Sequence, residues 1–361
     1  MRVGAVAALL LVMTLAPLAH AVDIGTTQTL SDFPVQLDAP VRGHGYTAWI
    51  DVRQGEPQVL LHYDDGETYR LLQKAPRGVQ HLAADGDWLA WSQQESAGLL
   101  PGEIQPRVNW DLVVYDVDRR AVVYDSDSAL SNETDPVLND GRVAFLDDVS
   151  GVQQVRIAAL SGGNAFQDKA VRPSSHRQGP PALDGRVPVF LEATDAGDQI
   201  VRVDGDEVAV LAAPVVGKGL GRPAAWDGRI AWPQNFGINS SLILVHDGQT
   251  QTWSWPNGTV MAVTGDGDLT LAEVRTTQRA LYAWCTGEEP VKLTGGIQSR
   301  PAVADGRLAS LTQVGSEQHV QERKASCGGE TGGKGKDAPG VAPLLLALIL
   351  VLAACVRRVR P

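Results

Sequence analysis

Side chains able to do chemistry are few and scattered in this chain. Asp125, Asp127, Asp135 and the run Gly265-Asp-Gly-Asp268 offer oxygen ligands, and Ca²⁺ takes six to eight of them. No EF-hand spacing accompanies these acids, so they read as turn and surface residues, with no resident cofactor expected and Ca²⁺ as the one ion to test. The seven histidines lack ligand spacing, and His62 and His246 fall in strand-like runs where a hydrogen-bonded sheet histidine is the simpler reading. Gly217-Lys-Gly-Leu-Gly221 lacks the further spacing and following helix of a phosphate loop. Gly-x-Ser-x-Gly, His-Glu-x-x-His and Cys-x-x-Cys do not occur, which leaves no catalytic and no metal-ligating residue to name. Nine tryptophans suggest sugar stacking. Trp49, Trp91 and Trp232 recur at equivalent places, however, which is the mark of packing; Trp253 and Trp255, alternating on one strand, are the better candidates for an exposed stacking face.

The elements that must carry these residues repeat. His44-Gly45, Asp85-Gly86, Asp140-Gly141, Asp184-Gly185, Asp227-Gly228, Asp266-Gly267 and Asp305-Gly306 each follow a short apolar run and precede an alternating one, with glycines 41, 55, 44, 43, 39 and 39 residues apart. Asp-Gly between alternating runs signals a tight hairpin, because a type I′ turn needs positive φ at both central residues. A period of about 40–50 residues built from strands alone belongs to propeller blades. The expected fold is therefore all-β, a seven-bladed β-propeller with six blades as the alternative. The seventh unit lacks an outer strand, and Thr27–Leu37 is the spare segment, so that segment is expected to pair near Val320 and close the ring. Pro188, inside a strand-like run, calls for a bulge or an unpaired donor position.

Composition places the chain among folded proteins: 43% apolar and 20% charged residues, enough to bury a core. Its formal net charge of −11 disfavours nucleic acid as a partner. Residues 1–21 have the basic start, apolar run and small-residue end of a signal peptide, with a cut expected after Ala21. The body is expected over 22–326, followed by a Gly-rich linker and motif at 327–340, an apolar segment at 341–356 just short enough to strain the usual spanning length, and an Arg-rich tail at 357–361 that would stay cytoplasmic. Export would put Cys285 and Cys327 in an oxidising compartment, where they could form one bridge if neighbouring blades hold their Cα atoms close enough. The long spacing in the second unit comes from an insertion, Ser96–Arg107, whose Leu99, Leu100 and Ile104 form a candidate contact loop.

Pro223, Asp227-Gly228 and Ile230-Ala231-Trp232, together with Trp110-Asp-Leu-Val-Val-Tyr-Asp116, resemble the TolB-like propeller repeats over nearly all of residues 38–325. The order of Cys327, Gly-rich spacer, apolar segment and terminal arginines resembles the myxosortase-type C-terminal sorting signals, which implies a cell-surface protein whose tail is removed by a sorting protease beside Cys327. A plain C-terminal membrane anchor is the alternative reading. The combined expectation is a surface-anchored, non-catalytic binding module for a surface protein or glycan, with a propeller hydrolase or lyase acting on polysaccharide or peptide as the alternative.

Overall fold

The computed structural model describes residues 22–31, 39–52, 57–71, 78–96, 108–126, 131–148, 151–160, 167–293, 298–314 and 317–327. Ala21, Leu99, Leu100, Ile104 and the segments 327–340 (beyond Cys327), 341–356 and 357–361 lie outside them. No helix among the described residues is long and apolar enough to cross a membrane.

Two short strands come first, β1 (Val22–Ile24) and β2 (Gln28–Thr29). Blade 1 then holds β3 (Val41–Gly43), β4 (Tyr46–Asp51), β5 (Gln58–Tyr63) and β6 (Thr68–Arg70); blade 2 holds β7 (Gly78–Asp85), β8 (Trp88–Ser96), β9 (Val108–Asp116) and β10 (Ala121–Asp125). Blade 3 is β11 (Glu133–Asn139), β12 (Arg142–Asp147), β13 (Gln154–Ala159) and β14 (Asp168–Ala170), and blade 4 is β15 (Ala182–Asp184), β16 (Val187–Thr194), β17 (Gly197–Asp204) and β18 (Glu207–Ala212). In blade 5 the inner strand is split into β19 (Gly219–Leu220) and β20 (Ala224–Trp226), both paired to β21 (Arg229–Phe236), with β22 (Asn239–His246) and β23 (Gln249–Trp255) outside. Blade 6 is β24 (Thr259–Asp266), β25 (Leu269–Arg275), β26 (Arg279–Cys285) and β27 (Val291–Lys292). Blade 7 is β28 (Gln298–Ala304), β29 (Arg307–Val314) and β30 (Glu317–Cys327), and its outer edge is completed by β1 and β2. The seven antiparallel sheets stand in a ring.

The ring closes as the strand arithmetic requires, and with more of the N-terminus than Thr27–Leu37. Gln28 and Thr29 pair with Glu322 and Gln321, and Val22–Ile24 pairs separately with Cys327, Ser326 and Ala325. The Leu30 N–H continues the ladder by donating to the Val320 carbonyl at 2.9 Å. The missing outer strand is thereby supplied in two pieces.

The glycine turns join first to second strands in every blade, and in blades 2 to 7 they take two forms. In blades 3, 5 and 7 the two-residue loops are Asp140-Gly141, Asp227-Gly228 and Asp305-Gly306, and both residues have positive φ, the type I′ requirement. Blades 2, 4 and 6 differ: Asp85, Asp184 and Asp266 are the last strand residues, and the loops are Gly86-Asp87, Gly185-Arg186 and Gly267-Asp268, with positive φ at the glycine alone. That matches a turn with glycine first, as in type II′. The expected Asp-Gly loop is thus shifted by one residue in alternate blades. Blade 1 follows neither form, since in its loop His44-Gly45 only Gly45 has positive φ.

Second-strand side chains make the core between blades. Trp49, Trp91, Phe145, Phe190 and Trp232 are all buried, so the recurrent tryptophans pack, as their periodicity indicates. Trp253 and Trp255 do not form an exposed stacking face. They lie half-buried, with ring centroids 4.8 Å (Trp253) and 6.3 Å (Trp255) from Trp284, and Trp255 meets Tyr282 edge-on at 5.7 Å. Alternation on an outer strand left open which neighbour would cover it. Pro188 needs no bulge, because the ladder from β16 to β17 begins at Val189↔Arg202 and the absent donor falls at its end.

Cys285 on β26 and Cys327 at the end of β30 are joined by a disulfide, with Cα atoms 5.6 Å apart. It ties blade 6 to blade 7. The bridge lies beside the β1 pairing at Val22↔Cys327, so the last strand is held on two sides at its end.

Candidate functional site

Each inner strand is the terminal strand of its sheet, so one edge of N–H and C=O groups faces the ring axis unpaired by any ladder. These edges line a channel of about 380 Å³ whose side chains are mostly small or apolar, among them Ala83, Val137, Leu183, Ala224, Val263 and Val303. Such a lining gives hydrogen-bonding backbone between narrow apolar steps. A ligand entering it meets both.

All the inner strands are interrupted, or begin, at one level. The pairing register slips between Gln80 and Ala83, between Thr134 and Val137, between Val260 and Ala262, and between Ser299 and Ala302. Blade 5 breaks between β19 and β20. Blade 4 reaches the same level through the bridge Gln178↔Glu192 followed by Pro180-Pro181 before β15, and blade 1 begins its strand directly after Ala39-Pro40. Proline cannot donate to a ladder, and a bulge is where a strand accommodates it; a bulge also re-aims the side chain beside it. The residue at this level of the chain is Ala39, His81, Asp135, Pro180, Arg222, Met261 or Arg300, one per blade, on the ring face opposite the glycine turns. The second strands repeat their chemistry, and this level does not.

Three of these side chains meet across the mouth. Arg222 Nη1 donates to Asp135 Oδ1 at 3.0 Å, a contact from blade 5 to blade 3 that passes in front of blade 4. His81 Nε2 lies 3.7 Å from the same oxygen, while the Asp135 N–H donates to His81 Nδ1 at 3.4 Å. Asp135 is largely buried and Arg222 about half exposed. Both His81 (φ 56°) and Asp135 (φ 53°) are left-handed, a backbone state that costs a non-glycine residue roughly 1–3 kcal/mol and collects at functional sites. His81 and Arg222 border the channel directly. The sequence places Asp135 only among scattered acids and singles out neither His81 nor Arg222; the signal for Asp135 and Arg222 is the proline that follows each, Pro136 and Pro223, while His81, in an inner strand without proline, has none.

The opposite mouth carries the turn acids, and they join blades. The Gly267 N–H donates to Asp227 Oδ2 at 2.7 Å, and the Gly306 N–H to Asp266 Oδ2 at 3.0 Å; Asp85 accepts the Asp140 N–H. Burial pushes the Asp85 and Asp266 carboxyls above the usual range, and neighbouring turn acids add to the rise. His44 pairs with Asp305 at 3.1 Å. Of the acids first considered for Ca²⁺, Asp125 is exposed on β10, Asp127 lies outside the described residues, Asp266 caps the next blade and Asp268 pairs with Arg229. Among the described residues no group of three His, Cys, Asp or Glu side chains is placed to hold a metal ion. His62 is bonded to Thr68 Oγ1 at 2.8 Å, as a sheet histidine should be.

No family model matches the sequence, and no curated protein matches it. Solved structures do. An oligogalacturonate lyase in complex with manganese is similar over 86% of this chain and 97% of its own, at 10% identity and a TM-score of 0.61. A prolyl endopeptidase is similar over 84% of this chain and 51% of its own, at 14% identity and a TM-score of 0.55, so this chain spans about half the length of that enzyme. The β-propeller domain of the trilobed protease of Pyrococcus furiosus, described as having an open velcro topology, is similar over 70% of this chain and 78% of its own, at 12% identity and a TM-score of 0.53. Likeness at these identities carries the architecture alone, and with the seven sheets and their register it identifies the chain as a seven-bladed β-propeller.

Proposed function

We propose that this protein is an exported, surface-held binding module that meets its ligand at the bulge-side mouth of the channel. One observation carries the reading: at a single level of an otherwise repetitive ring the residue type changes from blade to blade, six types over seven blades, and His81 and Asp135, both on left-handed backbone, meet Arg222 there. Repetition serves packing and turns, and divergence at one level serves recognition. The insertion between β8 and β9 leaves and rejoins the ring on this same face, which makes Leu99, Leu100 and Ile104 candidate partners to the mouth. The Cys285–Cys327 bridge supports an oxidising compartment. It also occupies the thiol that the sorting motif would use, so removal of the tail would have to precede bridge formation or proceed without that thiol. Mass spectrometry of the native protein tests this part: a mature chain starting at Val22 and lacking 341–361 supports export and sorting, and an intact tail supports a plain anchor.

A second reading, a lyase or hydrolase, draws on the lyase whose whole chain this one nearly spans and on the His81–Asp135 pair as an acid–base candidate. Steady-state assays of the purified protein on oligogalacturonides and peptides separate the two. Saturable binding without turnover supports the module; turnover that His81→Asn abolishes establishes the enzyme.

A further inference from the structure

We propose that the Arg222 guanidinium is a receiving site for the carboxylate of a small hydroxylated ligand, held shut in the free protein by Asp135. This rests on the mouth being the binding surface. Arg222 spends one Nη1 contact on a single oxygen of Asp135, whereas a guanidinium can take a carboxylate through two parallel N–H bonds. The group is about half exposed, so its other donors face the opening. Asp135 is the mimic already in place: an internal carboxylate reaching Arg222 across the width of blade 4.

The retaining group for Asp135 is also present. His81 stands 3.7 Å from Asp135 Oδ1, so when an incoming carboxylate takes Arg222, Asp135 keeps a polar neighbour and is not left isolated. Asp135 and His81 both adopt left-handed backbone, which fixes where the two groups point and leaves Arg222, on regular backbone between β19 and β20, as the one that turns. Below the ion pair lies the channel of about 380 Å³, of small-molecule size. Its unpaired strand edges suit hydroxyl groups. Carboxylate above and hydroxyls below describe an acidic sugar better than an apolar acid.

Titration calorimetry with digalacturonate as probe, and neutral galactobiose as its control, tests the proposal on the full-length protein. Digalacturonate should bind and galactobiose should bind at least about tenfold more weakly, the worth of one charge-assisted hydrogen bond. Asp135→Asn, which keeps a residue at ease with positive φ, should tighten digalacturonate about tenfold by freeing Arg222. Arg222→Gln should abolish the preference, with an unchanged thermal melt showing that the fold is intact. Equal binding of the two sugars, or weaker binding by Asp135→Asn, overturns the carboxylate site and leaves the mouth reading standing if Ala224→Trp blocks that binding. Absence of binding by both the natural protein and Asp135→Asn overturns this inference, and a mouth insensitive to Ala224→Trp overturns the reading beneath it.

Discussion

The seam between blades 7 and 1 and the seam between blades 5 and 6 do the same job with opposite chemistry. At the first, Arg42, almost wholly buried, donates to both oxygens of Asp64 at 2.6 and 2.7 Å and to Glu322 at 3.2 Å. Thr47 Oγ1 donates to Glu322 at 2.9 Å, and Arg307 holds the other Glu322 oxygen. At the second, Trp226, Trp284, Leu242, Leu244, Val260 and Val274 form one apolar cluster flanked by Trp253 and Trp255. Blades 5 and 6 are consecutive in the chain, whereas the three long strands of blade 7 reach blade 1 only through the N-terminal strands β1 and β2 that pair with β30. Apolar packing is strong and tolerant of sliding, whereas paired, hydrogen-bonded charges fit in one register, at the cost of desolvation. The contrast suggests that the seam at which the first and last strands meet gains register from its charges and adhesion from the small cluster Trp49, Leu60, Leu311 and Val320.

Removing one partner is the harshest way to break that contrast. Glu322→Ala leaves the guanidiniums of Arg42 and Arg307 sharing the one carboxylate of Asp64, and should cost about 3–5 kcal/mol in denaturant unfolding, the usual result of removing one partner from a buried charge cluster. Trp284→Ala should cost a similar amount, about 3–5 kcal/mol, through the cavity it leaves. The two differ in repair: replacing Arg42, Asp64 and Glu322 together by apolar residues of similar size should recover most of the loss, while no single polar residue will fill the indole space. Recovery failing at the closure would mean that charge there supplies adhesion as well as register. Gly265→Ala probes the aromatic seam from the other side, since a Cβ there would sit about 2.1 Å from Trp226 Cε2. Overpacking of this kind costs about 1–3 kcal/mol.

Reduction of Cys285–Cys327, or Cys327→Ser, should lower stability by about 2–4 kcal/mol for a closed loop of this length, and hydrogen exchange should show the loss concentrated in β30 and β1. Acid titration gives the smallest effect. The Arg42 guanidinium holds the Asp64 carboxyl below its usual range, against burial. A depressed folded pKa means stability that is full above the unfolded pKa and is lost as pH falls through the folded one, so Asp64→Asn should flatten the acid limb of a melting curve. Asp266 behaves in reverse: burial raises its carboxyl, its penalty is present above the folded pKa and is relieved as pH falls. Asp266→Asn, which can still accept the Gly306 N–H, should leave stability near neutral pH unchanged or slightly raised.

Local signals carried the fold. Glycine turns, β-branched runs and a count of strands were enough to place seven blades and to say that the N-terminus must close the last, because each depends on neighbours in sequence. What the sequence hid depends on neighbours in space. Whether Cys285 and Cys327 could meet turned on the separation of two blades, and the burial of Trp253 and Trp255 turned on blade 6 supplying Trp284. Charges 280 residues apart, Arg42 and Glu322, gave no hint of each other. The mouth was legible only in part: proline marks the inner strands of blades 1, 3, 4, 5 and 7 and is absent from those of blades 2 and 6, and that a bulge lies at this level, with His81, Asp135 and Arg222 standing together there, follows from the ring.

The two turn forms have a consequence for how many blades this ring can hold. Type I′ and glycine-first turns alternate from blade 2 to blade 7, and an alternating pattern can close on itself without fault only around an even number of positions. Seven is odd, so one junction must join like to like. Here the fault falls at blade 1, whose turn follows neither form and where histidine replaces the acid and meets Asp305. The effective unit of the ring is therefore a pair of blades. Excising any one of blades 3 to 6 would bring two like turns together and create a second fault, whereas excising blades 3 and 4 together would leave the alternation intact.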